Sequence, residues 1–307
     1  MTRLADLAEL VRAPAALSVP GDVLSGAAAA GALGPRTPAL AGASVLLYWA
    51  GMAANDWADR RLDAVERPER PIPSGRVRPA VALGVASGLT AAGLAVATAA
   101  GGRRAAAVAL PLAATIWGYD LRAKNTAAGP AVMAACRGLD VLLGASGGRV
   151  VRALPAALTV AAHTWTVTAL SRREVTGADR RLPGLTLAGT ALIALTTPAR
   201  PGPPATGPAA HTGPAGRRGR AAHAARLGDL VPAVLAAGYA TRYGRAQARV
   251  LADPSPARVR AAVGAGITGL PALQGALTAR AGARLLGLAV AGAAPLGRRL
   301  ARLISPT

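Results

Sequence analysis

The chain has 307 residues, 52% hydrophobic and 16% charged, and its 35 Lys and Arg outweigh 14 Asp and Glu to give a formal net charge of +21. That balance excludes a solvated, disordered coil, and the lone cysteine, Cys136, excludes an internal disulfide and a cysteine-cluster metal site. The arginines are spread over the connections between apolar segments and do not form a stripe with aromatic residues, so nucleic acid is not an expected partner.

In chain order, the opening MTRLADLAELVRAPAAL carries Asp6 and Glu9 and is unlike a signal peptide. Apolar windows follow near 14–33, 38–54, 80–100, 104–119, 128–147, 152–170, 183–198, 225–241, 257–278 and 283–300. A helix crosses a bilayer with about 20 apolar residues. Single windows are Ala-rich and only weakly hydrophobic, which leaves a buried soluble bundle as the alternative. Their number points to an all-α, polytopic transmembrane bundle of nine or ten helices. Dense Gly and Ala suit it, because they let helices approach closely where lipid offers no hydrophobic drive for association. Residues 199–220 are crowded with Pro and Gly and read as a flexible linker inside one membrane-embedded domain covering 1–307.

The connections after the second, fourth and sixth windows carry Arg60, Arg61, Arg67, Arg70, Arg76 and Arg78, then Arg122 and Lys124, then Arg172, Arg173, Arg180 and Arg181. The opposite connections carry only Arg36, Arg103, Arg104, Arg149 and Arg152. By the positive-inside rule the first set faces the cytoplasm, along with the amino terminus, and anionic lipid at that surface accounts for much of the net charge.

The scarce carboxylates cluster in the first of those connections, NDWADRRLDAVERPERPIPSG at 55–75. Asn55, Asp59 and Asp63 stand four apart, positions that share a helix face, with Asp56 flanking them. Carboxylates a turn apart repel unless a cation lies between them, and Mg²⁺ is commonly held by one or two carboxylates together with phosphate oxygens and water. The alternative is a solvated face on which Asp59, Asp63 and Glu66 pair with Arg60, Arg67 and Arg70. Position at the end of an apolar span, followed by the proline-fixed R-P-E-R-P-I-P-S-G that terminates the helix, favours the metal. Arg67 and Arg70 are then candidates to clamp a phosphate beside it.

The pattern N-D-x-x-D-x-x-x-D followed by R-P-x-P-S-G, here Asn55, Asp56, Asp59, Asp63 and Arg70 to Gly75, resembles the UbiA superfamily of intramembrane prenyltransferases. The resemblance implies about nine transmembrane helices around a central cavity, with Mg²⁺ and an isoprenyl diphosphate bound through two aspartate-rich loops. The family's second element is similar to Tyr119-Asp120-Leu121-Arg122-Ala123-Lys124-Asn125-Thr126, which implies diphosphate contacts from Arg122 and Lys124. Its second acidic motif is matched by Glu174 and Asp179, five apart instead of four. A turn at Gly177 would be needed to bring Asp179 back toward Glu174 as a second metal ligand. The wording S-R-x-E-V-x-G, R-G-L-x-V-L-L-G-A from Arg137 to Ala145, and the closing I-S-P-T resemble the EboC-like subgroup, which is associated with bacterial secondary metabolism.

On this reading Asp59, Asp63 and Glu174 are the catalytic carboxylates, and Asp22, Tyr119, Arg137 and Asp140 belong to the prenyl and acceptor pocket. Asp22 and Asp140 are ionisable groups at membrane depth, which suggests function; a pair between Asp140 and Arg137 is the structural alternative. Tyr48, Trp49, Trp57, Trp117, Tyr119 and Trp165 lie near the motif connections, where their rings would face a carbocation or form an interfacial belt. His163 is read first as a packing residue and second as a base. Two further readings stay open: a degenerate scaffold or carrier of a lipid-linked metabolite, and transfer onto a polyprenyl phosphate.

Overall fold

A computed structural model describes residues 3–13, 18–197 and 215–293. Among the described residues every regular element is helical: α1 (Leu4–Leu10), α2 (Pro20–Ala30), α3 (Thr37–Glu66), α4 (Pro79–Gly118), α5 (Gly129–Ala145), α6 (Val150–Ser171), α7 (Arg181–Thr196), α8 (Ala215–Ala252), α9 (Pro256–Arg280) and α10 (Arg284–Ala293). Proline stands in the first turn of α2, α3, α4, α5 and α9, where its missing N–H is not needed and its fixed φ suits a helix start.

Two features of α3 and α4 set the site. Helix α3 runs 30 residues, past the apolar stretch and through the whole acidic motif, and stops at Glu66 just before Pro68. Helix α4 is broken at Gly102, whose φ of 63° is open to glycine at little cost. Its two arms return antiparallel, as the 3.0 Å bond from Trp117 Nε1 to Thr90 Oγ1 requires. The returning arm ends in a π-helical turn over Tyr119–Ala123, which buries Asp120 and leaves Leu121 and Arg122 exposed. Such turns insert an extra residue and recur at functional sites.

Three segments, Thr37–Glu66, Pro79–Ala123 and Val150–Ser171, are long and apolar enough to cross a membrane, and the break at Gly102 makes the second of them a two-pass hairpin. Exposed Leu110, Leu158, Leu185 and Leu192 lie on the outer surface of the bundle, as expected of a protein solvated by lipid. This is an integral membrane protein of the helical-bundle class.

Packing joins α3 to α4, α5 to α6 and α8 to α9, while α2 sits centrally and touches α3, α5, α6 and α9. The crossing of α2 on α5 is close enough that a methyl group at Gly26 would meet the Val141 carbonyl, and one at Gly144 the Val23 carbonyl. Small residues are what allow that approach.

The ten apolar windows correspond to the elements from α2 onward, counting the two arms of α4 separately. The expected linker, 199–220, differs in part: residues up to 214 lie outside the described residues, but 215–220 already form the first turns of α8. The window at 225–241 is also too short, because α8 continues to Ala252 through the Ala-, Arg- and Gln-rich A-T-R-Y-G-R-A-Q-A-R, good helix formers that carry polar groups. The closing I-S-P-T and the part of the last window beyond 293 lie outside the described residues.

Candidate active site

The acidic motif presents two faces. Successive residues turn by about 100° in a helix, so Asn55 and Asp59 stay together while Asp63 drifts round to join Asp56. Asn55 Nδ2 donates to Asp120 Oδ1 at 3.1 Å, and Lys124 Nζ lies 2.7 Å from Asp59 Oδ1. On the other face Arg70 Nη1 reaches Asp63 Oδ2 at 2.7 Å and Asp56 Oδ1 at 3.5 Å, and Arg12 Nη2 reaches Asp56 Oδ1 at 2.6 Å. The expectation that Asn55, Asp59 and Asp63 converge therefore meets a different arrangement: Asn55 and Asp59 face the end of α4, and Asp63 is buried against Arg70.

Arg70 is held by two carboxylates and ties to α3 the R-P-I-P-S-G segment, which folds into turns closed by bonds from Ser74 N to the Arg70 carbonyl at 3.0 Å and from Gly75 N to the Ile72 carbonyl at 3.1 Å. Arg67 and Arg122 are exposed at the same end of the bundle. Glu174 is half-buried in the α6–α7 connection, where burial raises its pKa against the opposing charge of Arg260. Gly177 does make a left-handed turn, with φ of 79°. Asp179 nevertheless spends its carboxylate on the start of α7, accepting from Leu182 N at 2.9 Å, a capping role that satisfies an otherwise free helix N–H.

Beneath Asn55 and Asp120 lies a cavity of about 330 Å³ lined by Val19, Tyr48, Met52, Tyr119, Met133 and Val167 among others. A smaller recess sharing Tyr48, Met52, Tyr119 and Met133 extends it to Asp120. Arg137 and Ser18 supply polar groups in its wall. Arg137 Nε lies 2.7 Å from Asp22 Oδ2, and its guanidinium carbon stands 5.5 Å from the centre of the Tyr48 ring. Gln274 Nε2 donates to Asp22 Oδ1 at 2.7 Å and to the Ser18 carbonyl at 2.8 Å. Ser44 Oγ donates to Asp140 Oδ1. Asp22 and Asp140 are fully buried behind the cavity wall, so the network faces the open space through Arg137, Ser18 and Tyr48. Of the two readings left open for Asp140, the in-helix pair with Arg137 is not formed at ion-pair distance among the described residues, and Arg137 pairs with Asp22.

Of the six aromatic residues singled out, Tyr48 and Tyr119 line the cavity. Trp49, Trp57 and Trp117 pack around α1 and the first arm of α4, and Trp165 is 39% exposed. His163 borders the cavity, but its Nδ1 is 2.9 Å from Tyr239 Oη and its ring meets Tyr239 and Tyr243 edge-on, the satisfied environment of a packing histidine.

Asp120, Arg12, Ser44 and Gln274 were not anticipated. Asp120 could have been found as a carboxylate inside an otherwise basic connection, and Gln274 and Ser44 as polar residues inside apolar windows. Arg12 carries no such signal.

Among the described residues no three His, Cys, Asp or Glu side chains converge on a common point. The oxygens of Asn55, Asp59 and Asp120 are therefore not an all-protein metal cage. They do suit a hard cation such as Mg²⁺ that completes its shell with phosphate oxygens and water.

The sequence model of the UbiA prenyltransferase family matches residues 21–194. Over 80 residues the chain is 44% identical to the digeranylgeranylglyceryl phosphate synthase of Methanothrix thermoacetophila, covering 25% of this chain and 30% of that protein. The chain thus aligns with under a third of that curated relative. Among solved structures, one concerned with a digeranylgeranylglyceryl phosphate synthase in membranes superposes with a TM-score of 0.65 at 15% identity, over 92% of this chain and 99% of the other. The apo structure of a UbiA homologue from Aeropyrum pernix K1 superposes at 0.55 and 16% identity, over 82% and 96%. At such identities the two superpositions speak for the fold alone.

Proposed function

This chain belongs to the UbiA prenyltransferase family, and from that premise we propose that it transfers a prenyl group from an isoprenyl diphosphate to an acceptor at the end of the bundle that carries Asn55, Asp59 and Asp120. The observation that carries the proposal is the joining of a polar rim to an apolar cavity: Asp120 closes the recess that opens into the space between Tyr48, Met52, Tyr119 and Met133. A prenyl chain fits below and a diphosphate above.

Asn55, Asp59 and Asp120 would hold Mg²⁺, which when bound with the diphosphate neutralises the charge developing on the leaving group. Lys124, 2.7 Å from Asp59, and the exposed Arg67 and Arg122 bind diphosphate oxygens, Arg122 and Lys124 as the family resemblance implies. The allylic carbon–oxygen bond breaks with its electron pair leaving on pyrophosphate, and the rings of Tyr48 and Tyr119 face the electron-deficient carbon. The acceptor forms the new bond and releases a proton, with its polar end at Ser18 and Arg137. The apolar wall keeps water from capturing the cation first.

The excess of Arg and Lys at this end supports a cytoplasmic orientation in a bacterial-type membrane. The EboC-like wording at 137–145 and 171–177 supports an acceptor from secondary metabolism, whereas the name of the archaeal relative supports a prenylated glyceryl phosphate. A second reading, a non-catalytic scaffold or carrier of a lipid-linked metabolite, is favoured by one observation, the commitment of Asp179 to the cap of α7.

Purified protein in detergent, given Mg²⁺ and a set of prenyl diphosphates, binds at least one of them. Asp59→Asn weakens that binding at least about ten-fold, the scale on which metal sites respond to loss of a supporting group. Binding unchanged by the substitution and by chelation of Mg²⁺ would favour the carrier.

A further inference from the structure

Helices α8 and α9 form a second polar feature, separate from the cavity. A groove of about 270 Å³ between them is floored by Ala246, Ala261 and Ala265 and walled by Arg242, Arg245, Arg249 and Arg258. Among the described residues Asp253 is the one carboxylate that pairs with any of these four, lying 3.4 Å from Arg258 Nε on an exposed turn. Among the described residues three arginines thus share one small-floored groove with no acidic partner.

The groove belongs to the end of the bundle that carries the acidic motif. The α8–α9 connection packs on the α6–α7 connection, with Ala178 N donating to the Pro254 carbonyl at 3.0 Å and Arg260 Nη1 to the Glu174 carbonyl at 3.0 Å. From there it runs inward: Arg242 Nη2 donates to Thr268 Oγ1 at 3.0 Å, a position about 18 Å along α9 from Pro256. Arginine at such depth in a bilayer is costly unless it meets an anion or reaches the interface. On the same side of α8 the surface turns apolar at Gly238 and exposed Val234, about 6 and 12 Å beyond Arg242. Cationic near the interface and apolar beyond it, the groove complements an amphiphile with an anionic head. A free anion would use only the cationic half.

We propose that this groove seats the headgroup phosphate of an anionic bilayer phospholipid, with its acyl chains along the apolar continuation past Gly238 and Val234. The phosphate accepts from Arg245 and Arg249 at the level of the alanine floor, and Arg242, anchored on Thr268, closes the inner edge. The seat lies outside the prenyl cavity and does not depend on the transfer reaction.

Native mass spectrometry of the delipidated full chain, titrated with equal amounts of phosphatidylglycerol and phosphatidylcholine, tests it. Wild type retains one phosphatidylglycerol in preference to phosphatidylcholine. The triple variant Arg242→Gln, Arg245→Gln, Arg249→Gln loses that retention roughly 100-fold, about five-fold per arginine, whereas Arg149→Gln with Arg152→Gln at the other end of the bundle changes nothing. Should the triple variant fail to fold, Arg245→Gln alone carries the test, with about a five-fold loss. Equal retention of the two lipids, phosphatidylglycerol held undiminished by the arginine variants, or its displacement by millimolar inorganic phosphate would overturn the proposal, the last by assigning the groove to a free anion.

Discussion

Arg70 Nη1 lies within reach of both Asp56 and Asp63, and both carboxylates are almost wholly buried. Removing one member of a buried ion pair strands the other charge, at a cost of about 3 kcal/mol or more. Arg70→Ala should therefore lower the thermal unfolding midpoint in detergent clearly, while Arg67→Ala, at an exposed position, leaves it nearly unchanged; equal midpoints would show that the Arg70 pair holds nothing together. Sequence spacing suggested another arrangement, in which Arg70 met phosphate and Asp63 met metal. The i, i+4, i+8 pattern does place Asn55 and Asp59 one above the other, but the drift over two steps carries Asp63 to the side occupied by Asp56. The partners that decide between the two faces, Asp120, Lys124 and Arg12, come from other elements, and no local spacing registers them.

At the scale of helices most of the architecture is legible, since an uninterrupted apolar run between charged connections has few other ways to satisfy its backbone in a membrane. The hairpin in α4 could be read from the Gly-Gly-Arg-Arg between two windows. The extension of α8 to Ala252 could not, because its arginines break the apolar signal without breaking the helix. The close crossing of α2 on α5 is also invisible in composition: Gly26 and Gly144 look like any of the chain's 37 glycines. A methyl at Gly144 runs into the Val23 backbone, whereas one at Gly84 meets open space. Gly144→Ala should destabilise the folded protein by about 1–3 kcal/mol through overpacking, and Gly84→Ala should be neutral or mildly stabilising through helix propensity. Comparison of the two unfolding midpoints checks this, and a Gly144→Ala protein as stable as wild type would contradict the crossing.

Across the whole molecule, the ends of α3, α4 and α6 meet at one pole, where Asp59, Asp120 and Lys124 stand over an apolar interior that descends to Arg137. On the proposed reading that conjunction would give the family's chemistry a place in this chain, with charge handled at the rim and the reactive carbon sheltered below it. A prenyl diphosphate carrying a diazirine at the far end of its chain reports on it directly, through photocrosslinking in the presence of Mg²⁺ and peptide mapping of the adducts. The account predicts label on the cavity wall, at Met52, Met133 or Val167, lost when unlabelled prenyl diphosphate competes. Label confined to lipid-facing positions such as Leu185 and Leu192, indifferent to competitor, would contradict it.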